Sequence, residues 1–86
     1  MEVVKTGQFK RDIKLANKRH KNPANLKEVL DLLCNDEVLP EKYRDHKLQG
    51  TNYRECHIEP DWLLIYRIED DALHLIRAGS HADLFG

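Results

Sequence analysis

Histidine, aspartate and arginine recur together in the second half of this 86-residue chain. His57 stands four residues before Asp61, and Trp62 follows at once. Arg77 precedes His81 by four residues, and Phe85 comes four later. His46 lies upstream in Asp45-His46-Lys47. Imidazole takes and gives protons near neutral pH. A carboxylate orients it or acts as a base, and a guanidinium stabilises charge on a phosphoryl group. Cleaving RNA needs those parts: a base for the 2′-hydroxyl, an acid for the leaving oxygen and a cation for the phosphorane. Trp62 and Phe85 are residue types that stack on an unpaired base.

Each residue also has a plainer use. Trp62 opens an apolar run and suits the core better than a base platform. Arg77 can pair with one of the many acids. His20 suits the end of a basic helix, His74 a packed strand, and Cys34 and Cys56 small apolar sites. Other chemistries fit poorly. His57 and Asp61 have the spacing of a helical zinc pair, but Pro60 between them denies the helix, and no CxxC or HxxxH occurs. Neither a G-x-S-x-G elbow nor a glycine-rich phosphate loop is present.

The elements that must position these residues follow from periodicity. Val3-Val4 predicts a short strand at a sheet edge. Thr6 can cap a helix over about 7–19, with Phe9, Ile13 and Ala16 on one face. Asn22-Pro23 breaks it, and Asn25-Leu26-Lys27-Glu28 reads as the cap of a second helix ending near Asn35. Residues 36–52 show no clean period. Strands are expected over 53–58, 62–68 and 72–78, separated by turns at Glu59-Pro60-Asp61 and Glu69-Asp70-Asp71, and 79–86 reads as a tail. Helices first and strands later imply a single α+β domain, a helical hairpin on an antiparallel sheet. In such a meander the ends of the first and third strands share one edge, so His57, Asp61 and Arg77 are expected to converge there.

Composition narrows the class. Apolar residues make up 41% and charged residues 34%, with a mean hydropathy of -0.68. The longest apolar run is Trp62–Tyr66, so no membrane span is expected. The start lacks the apolar core of a signal peptide, and two cysteines make no disulfide framework, which points to a reduced, cytoplasmic setting. The net charge of -1 hides an asymmetry. Residues 1–27 hold eight Lys or Arg against two acids, a balance of +6, and residues 28–86 hold six against thirteen, a balance of -7. A basic first third suits a polyanion or an acidic partner.

Three stretches carry a resemblance: Arg44-Asp45-His46-Lys47-Leu48-Gln49-Gly50, Tyr53 through Tyr66 with His57-Ile58-Glu59-Pro60-Asp61-Trp62 at its centre, and Arg77 through Gly86 with Gly79-Ser80-His81-Ala82-Asp83-Leu84-Phe85. With Thr6–Lys10, Asp12–Ala16 and Lys18–Lys21, they resemble the YafQ-type toxins of the RelE-like superfamily over nearly the whole chain. The resemblance implies N-terminal helices on a twisted antiparallel sheet. It implies ribosome-dependent, metal-independent cleavage of mRNA, with no cofactor. The active-site residues of the family fall on His46, His57, Asp61 and His81, and the residues lining its site on Trp62, Arg77 and Phe85. The implied partners are a cognate antitoxin of ribbon–helix–helix type, in a heterotetramer, and the ribosome with its mRNA. On this reading His81 is the general acid, His57 and Asp61 serve as base or orienter, and His46 and Arg77 stabilise the phosphate. The competing reading is a toxin-like module that binds antitoxin or ribosome without cleaving.

Overall fold

A computed structural model describes residues 1–86. The chain runs β1 (Glu2–Lys5), α1 (Gly7–Lys18), α2 (Pro23–Cys34), a 3₁₀ turn (Glu41–Tyr43), β2 (His46–Lys47), β3 (Arg54–Glu59), β4 (Trp62–Glu69), β5 (Ala72–Gly79) and α3 (His81–Phe85). The sheet order is β1-β5-β4-β3-β2. This is an α+β fold with a helical hairpin beside a five-stranded sheet.

β3, β4 and β5 form the expected antiparallel meander, and the short β2 adds a fourth antiparallel strand beside β3. The sheet as a whole is mixed, because β1 pairs with β5 in parallel. The chain leaves β1 at one end of the sheet and enters α1 directly, whereas the hairpin between β4 and β5 fixes the direction of β5. At that hairpin Asp70 and Asp71 both take positive φ, as a two-residue turn matched to strand twist requires.

Thr6 does cap α1. Its Oγ1 accepts the Phe9 N–H at 2.9 Å and donates to the Ile76 carbonyl at 2.8 Å, tying the helix start to β5. The second helix starts earlier than the Asn25 cap predicted. Asn22 is the cap, accepting from the Ala24 N–H, and Pro23 takes the first turn, where its missing N–H costs nothing. Two further departures bear on the site. Residues 36–52 contain the 3₁₀ turn and β2, and the tail folds as α3, with Ser80 and Asp83 closing a reciprocal capping box.

Phe9, Ala16, Val29 and Leu33 from the helices pack on Cys56, Ile58, Trp62, Leu64, Tyr66, Leu73, Leu75 and Ala78 from the sheet. Trp62 is therefore core, 3% exposed, and presents no free face to a base. One acid shares this interior. Asp12 of α1 accepts from Arg77 Nε at 3.1 Å and Nη2 at 3.0 Å, and from the Ala78 N–H at 3.0 Å. Beyond the end of β1 that stretch of β5 would be an open edge, and the carboxylate closes it. Burial works against the charged form of Asp12, yet these bonds outweigh it and hold its pKa below the usual carboxylate value.

Removing Asp12 strands a guanidinium and a buried N–H. Asp12→Ala is expected to lower stability by about 2–3 kcal/mol. Asp31→Ala, which breaks only the exposed pair with Lys27, should leave the urea midpoint in place. Equal losses for the two variants would contradict this account of the β5 edge.

Candidate active site

Strand register decides which face the candidate residues occupy. Cys56 pairs with Leu64 and Arg54 with Tyr66, on the side of the helices. Glu55 pairs with Ile65 and His57 with Leu63, so both point to the opposite face. Leu63 pairs in turn with Gly79, which brings the start of α3 alongside.

At that end of the sheet five side chains form a continuous run. His81 sits against Asp61, with its backbone N–H 3.0 Å and its Nδ1 2.7 Å from the same Oδ1. The His57 ring lies 5.7 Å from the His81 ring, centroid to centroid, edge to face. Glu55 lies on the far side of His57, its Oε1 3.8 Å from His57 Nε2 and 3.5 Å from His46 Nε2. The order is Asp61, His81, His57, Glu55, His46.

The hydrogen bonds fix the tautomers. His46 Nδ1 lies 2.8 Å from the Arg44 carbonyl and His57 Nδ1 3.3 Å from the Pro60 carbonyl. A carbonyl only accepts, so each Nδ1 carries its proton and each Nε2 faces Glu55. For His81 the acceptor on Nδ1 is Asp61, which leaves its Nε2 free for a substrate. The two N–H donors of His81 hold the Asp61 carboxyl below the usual carboxylate range, so it stays an acceptor. Glu55 is 5% exposed, and its Oε2 has no partner. A buried carboxylate demands a cation, and the two imidazoles supply one when protonated.

Tethers outside the run hold the two outer histidines. Asp45, next to His46, accepts from Tyr66 Oη at 2.5 Å and from Arg54 Nη2 at 3.0 Å. Burial and Asp45 together push the Tyr66 phenol well above its ordinary value. Asp83, two residues after His81, is gripped by Arg19 at 2.6 Å and accepts the Ser80 N–H. Arg19 and the Ser80 contacts hold its carboxyl down at about 2. Gly79 makes this fold-back possible, since a Cβ there would stand 2.8 Å from that of Asp83.

The family resemblance placed His46, His57, Asp61 and His81 in one site, and the structure brings these four side chains together; of the three residues that the meander was expected to gather, His57 and Asp61 meet there and Arg77 does not. The other three candidates sit apart. Trp62 is buried, and Arg77 is occupied by Asp12. Phe85 is exposed on α3, one turn from His81 and on the same helix face. Glu55, Asp45, Asp83 and Arg19 escaped the sequence reading. For Glu55 the available signal was its two-residue spacing from His57 in a strand, and for Asp83 the Ser80-x-x-Asp83 capping pattern.

The family model for the bacterial toxin of the type II toxin–antitoxin system, YafQ, matches residues 1–86. The chain belongs to the YafQ toxin family. It is 48% identical to the mRNA interferase toxin YafQ of Escherichia coli K12 over 88 residues, covering 99% of this chain and 96% of that one. The putative toxin YafQ of Haemophilus influenzae is 36% identical over 91 residues, covering 95% and 89%. Among solved structures, the E. coli DinJ–YafQ toxin–antitoxin complex matches with a TM-score of 0.92 at 48% identity, covering 99% of this chain and 97% of that one. A copper-bound mutant toxin from Helicobacter pylori matches at 0.95 and 36% identity, covering 99% of each. In this YafQ family member no three His, Cys, Asp or Glu side chains converge closely enough to hold a metal ion.

The depressed Asp83 carboxyl carries a pH prediction. Its tie to Arg19 is fully present above the ordinary carboxylate value near 3.8 and is lost as pH falls from there toward about 2. The Ser80 and Asp83 amide resonances should therefore hold steady down to the upper limit and move only below it. Titration of Asp83 at the ordinary value would mean that α3 is not anchored this way.

Proposed function

We propose that this chain is the toxin of a type II toxin–antitoxin pair, an endoribonuclease that cuts mRNA on the ribosome by acid–base catalysis. The observation that carries this reading is the continuous run from Asp61 through His81, His57 and Glu55 to His46. It offers two separately oriented imidazole systems a few ångströms apart, and proton transfer at two oxygens of one phosphate needs that arrangement.

The residues divide the work as follows. The 2′-hydroxyl attacks the adjacent phosphorus and gives its proton to His57, which Glu55 backs as a counter-charge. The new O2′–P bond forms as the P–O5′ bond breaks. His81, held by Asp61, gives the proton from Nε2 to the departing O5′, leaving a 2′,3′-cyclic phosphate. Asp61 thus orients His81. His46, half exposed at the other end of the run, faces the phosphate as a cation. Arg77 is the weaker electrostatic contributor, because Asp12 already occupies it. Phe85 offers its exposed ring to a base beside His81.

The partners follow from the same reading: the ribosome with its mRNA, and a cognate antitoxin of ribbon–helix–helix type in a heterotetramer, acting in the cytoplasm. A relative captured with DinJ supports an antitoxin. No helix is long and apolar enough to cross a membrane.

Single-turnover cleavage on programmed ribosomes tests the assignment. His81→Ala should slow the cut by about 10²–10⁴-fold and abolish growth arrest on induction, with the fold intact by circular dichroism. Glu55→Gln should also slow the cut, because it removes the counter-charge behind His57. A folded His81→Ala protein that stays fully toxic would sink the mechanism. Ribosomes stalled on uncut message would indicate a binding module instead.

A further inference from the structure

A groove of about 370 Å³ opens beside His57, and His81 is not among the residues that line it. Its walls are the start of α2 at Asn25, the 3₁₀ turn and its exit at Lys42, Tyr43 and Arg44, and the end of β3. That volume lies at the lower end of what holds a small organic ligand, about 300–1,000 Å³. Tyr43 and Ile58 are buried beneath it. Glu59 also lines it, but that carboxylate already accepts from Asn25 Nδ2 at 3.3 Å and lies 3.9 Å from Lys21 Nζ.

The rim is cationic. Arg44 forms no ion pair with any acid of the chain, unlike Arg19, Arg54, Arg67 and Arg77. It holds a left-handed backbone at φ 49°, and the carbonyl of the same residue accepts from His46 Nδ1. The conformation that orients His46 therefore belongs to a residue that also lines the groove, Arg44. Lys42 stands beside it, 4.9 Å from the Tyr43 ring and only loosely paired with Glu28 at 3.8 Å.

We propose that this groove binds the ribonucleotide on the 5′ side of the cut, with Arg44 and Lys42 on its phosphate. The direction follows from the division of labour in the proposed function, on which the inference rests. His57 takes the proton of the 2′-hydroxyl, which belongs to the nucleotide upstream of the scissile bond. His81 serves the O5′ of the downstream one. The groove adjoins His57 and does not reach His81, so the strand enters it from the upstream side. A sugar–phosphate with one base fits the volume, and Arg44 and Lys42 are cations that complement the single negative charge of its phosphodiester.

The test is single-turnover cleavage on programmed ribosomes, reading half-saturation and maximal rate separately. Arg44→Gln combined with Lys42→Gln should raise the half-saturating toxin concentration about tenfold and lower its salt dependence. The loss should fall on half-saturation rather than on the rate at saturation, and Arg44→Lys should recover most of it. An abasic substitution at the upstream nucleotide should weaken wild type and add less to the double variant than to wild type. Because Arg44 has a left-handed backbone, thermal denaturation must first show that each variant is folded; Arg44→Asn, which tolerates that backbone, replaces a variant that is not. Wild-type cleavage with half-saturation unchanged in the folded variants overturns the subsite and leaves the catalytic reading standing. Absence of wild-type cleavage overturns both.

Discussion

A carboxylate taken out of water must be surrounded by donors, and Asp12 meets that demand in a way that organises the molecule. Three N–H groups converge on it from Arg77 and Ala78, where β5 has lost its partner strand. The helix is thereby fixed against the strand from which α3 departs. Gly79, Ser80 and His81 follow directly, so the position of the His81 imidazole is set from a buried contact three residues upstream. Arg19, at the end of the same helix, grips Asp83 and sets α3 from the other side. The site and the helix hairpin are two ends of one lever.

That economy also bears on how the net charge of the chain is to be understood. Asp12, Asp45, Asp61, Asp83 and Glu55 are all engaged by arginine, tyrosine, histidine or backbone N–H groups of the chain itself. Three of these acids, Asp12, Asp45 and Asp83, each also take up an arginine, so the net -1 does not tell which charges stay free. Arg44 and Lys47 make no ion pair beside the site. A net charge measures composition, whereas a polyanion responds to the charges left free on one face.

Much of this was legible from residue order. Phe9, Ile13 and Ala16 marked α1 because one buried face imposes its period over three turns, and the strands of the meander declared themselves by β-branched and aromatic runs between turn residues. What failed was short or nonlocal. Five residues of α3 cannot show a helical period. The parallel pairing of β1 depends on where α1 delivers the chain, which no local pattern records. Asn22 prevailed over Asn25 because Pro23 belongs in a first turn, a steric preference stronger than a partial capping box. Trp62 and Arg77 drew two readings from the same letters, and only packing showed one buried and the other paired. Alternation puts Glu55 on one face of its strand with His57, but it does not show what covers that face.

The two hairpin turns differ in what they leave free. Both contain two residues, and both place an aspartate at the tip. Asp70 and Asp71 touch nothing in the site and sit at the opposite end of β4. Asp61 is itself the acceptor for His81, and Pro60 for His57. A residue inserted at Asp70–Asp71 would lengthen a loop. The same insertion at Pro60–Asp61 would shift two hydrogen-bond acceptors away from two rings at once. Length variation among functional relatives should therefore be tolerated at one end of this strand and purged at the other, and the first end is where a tag or a fused domain can be carried.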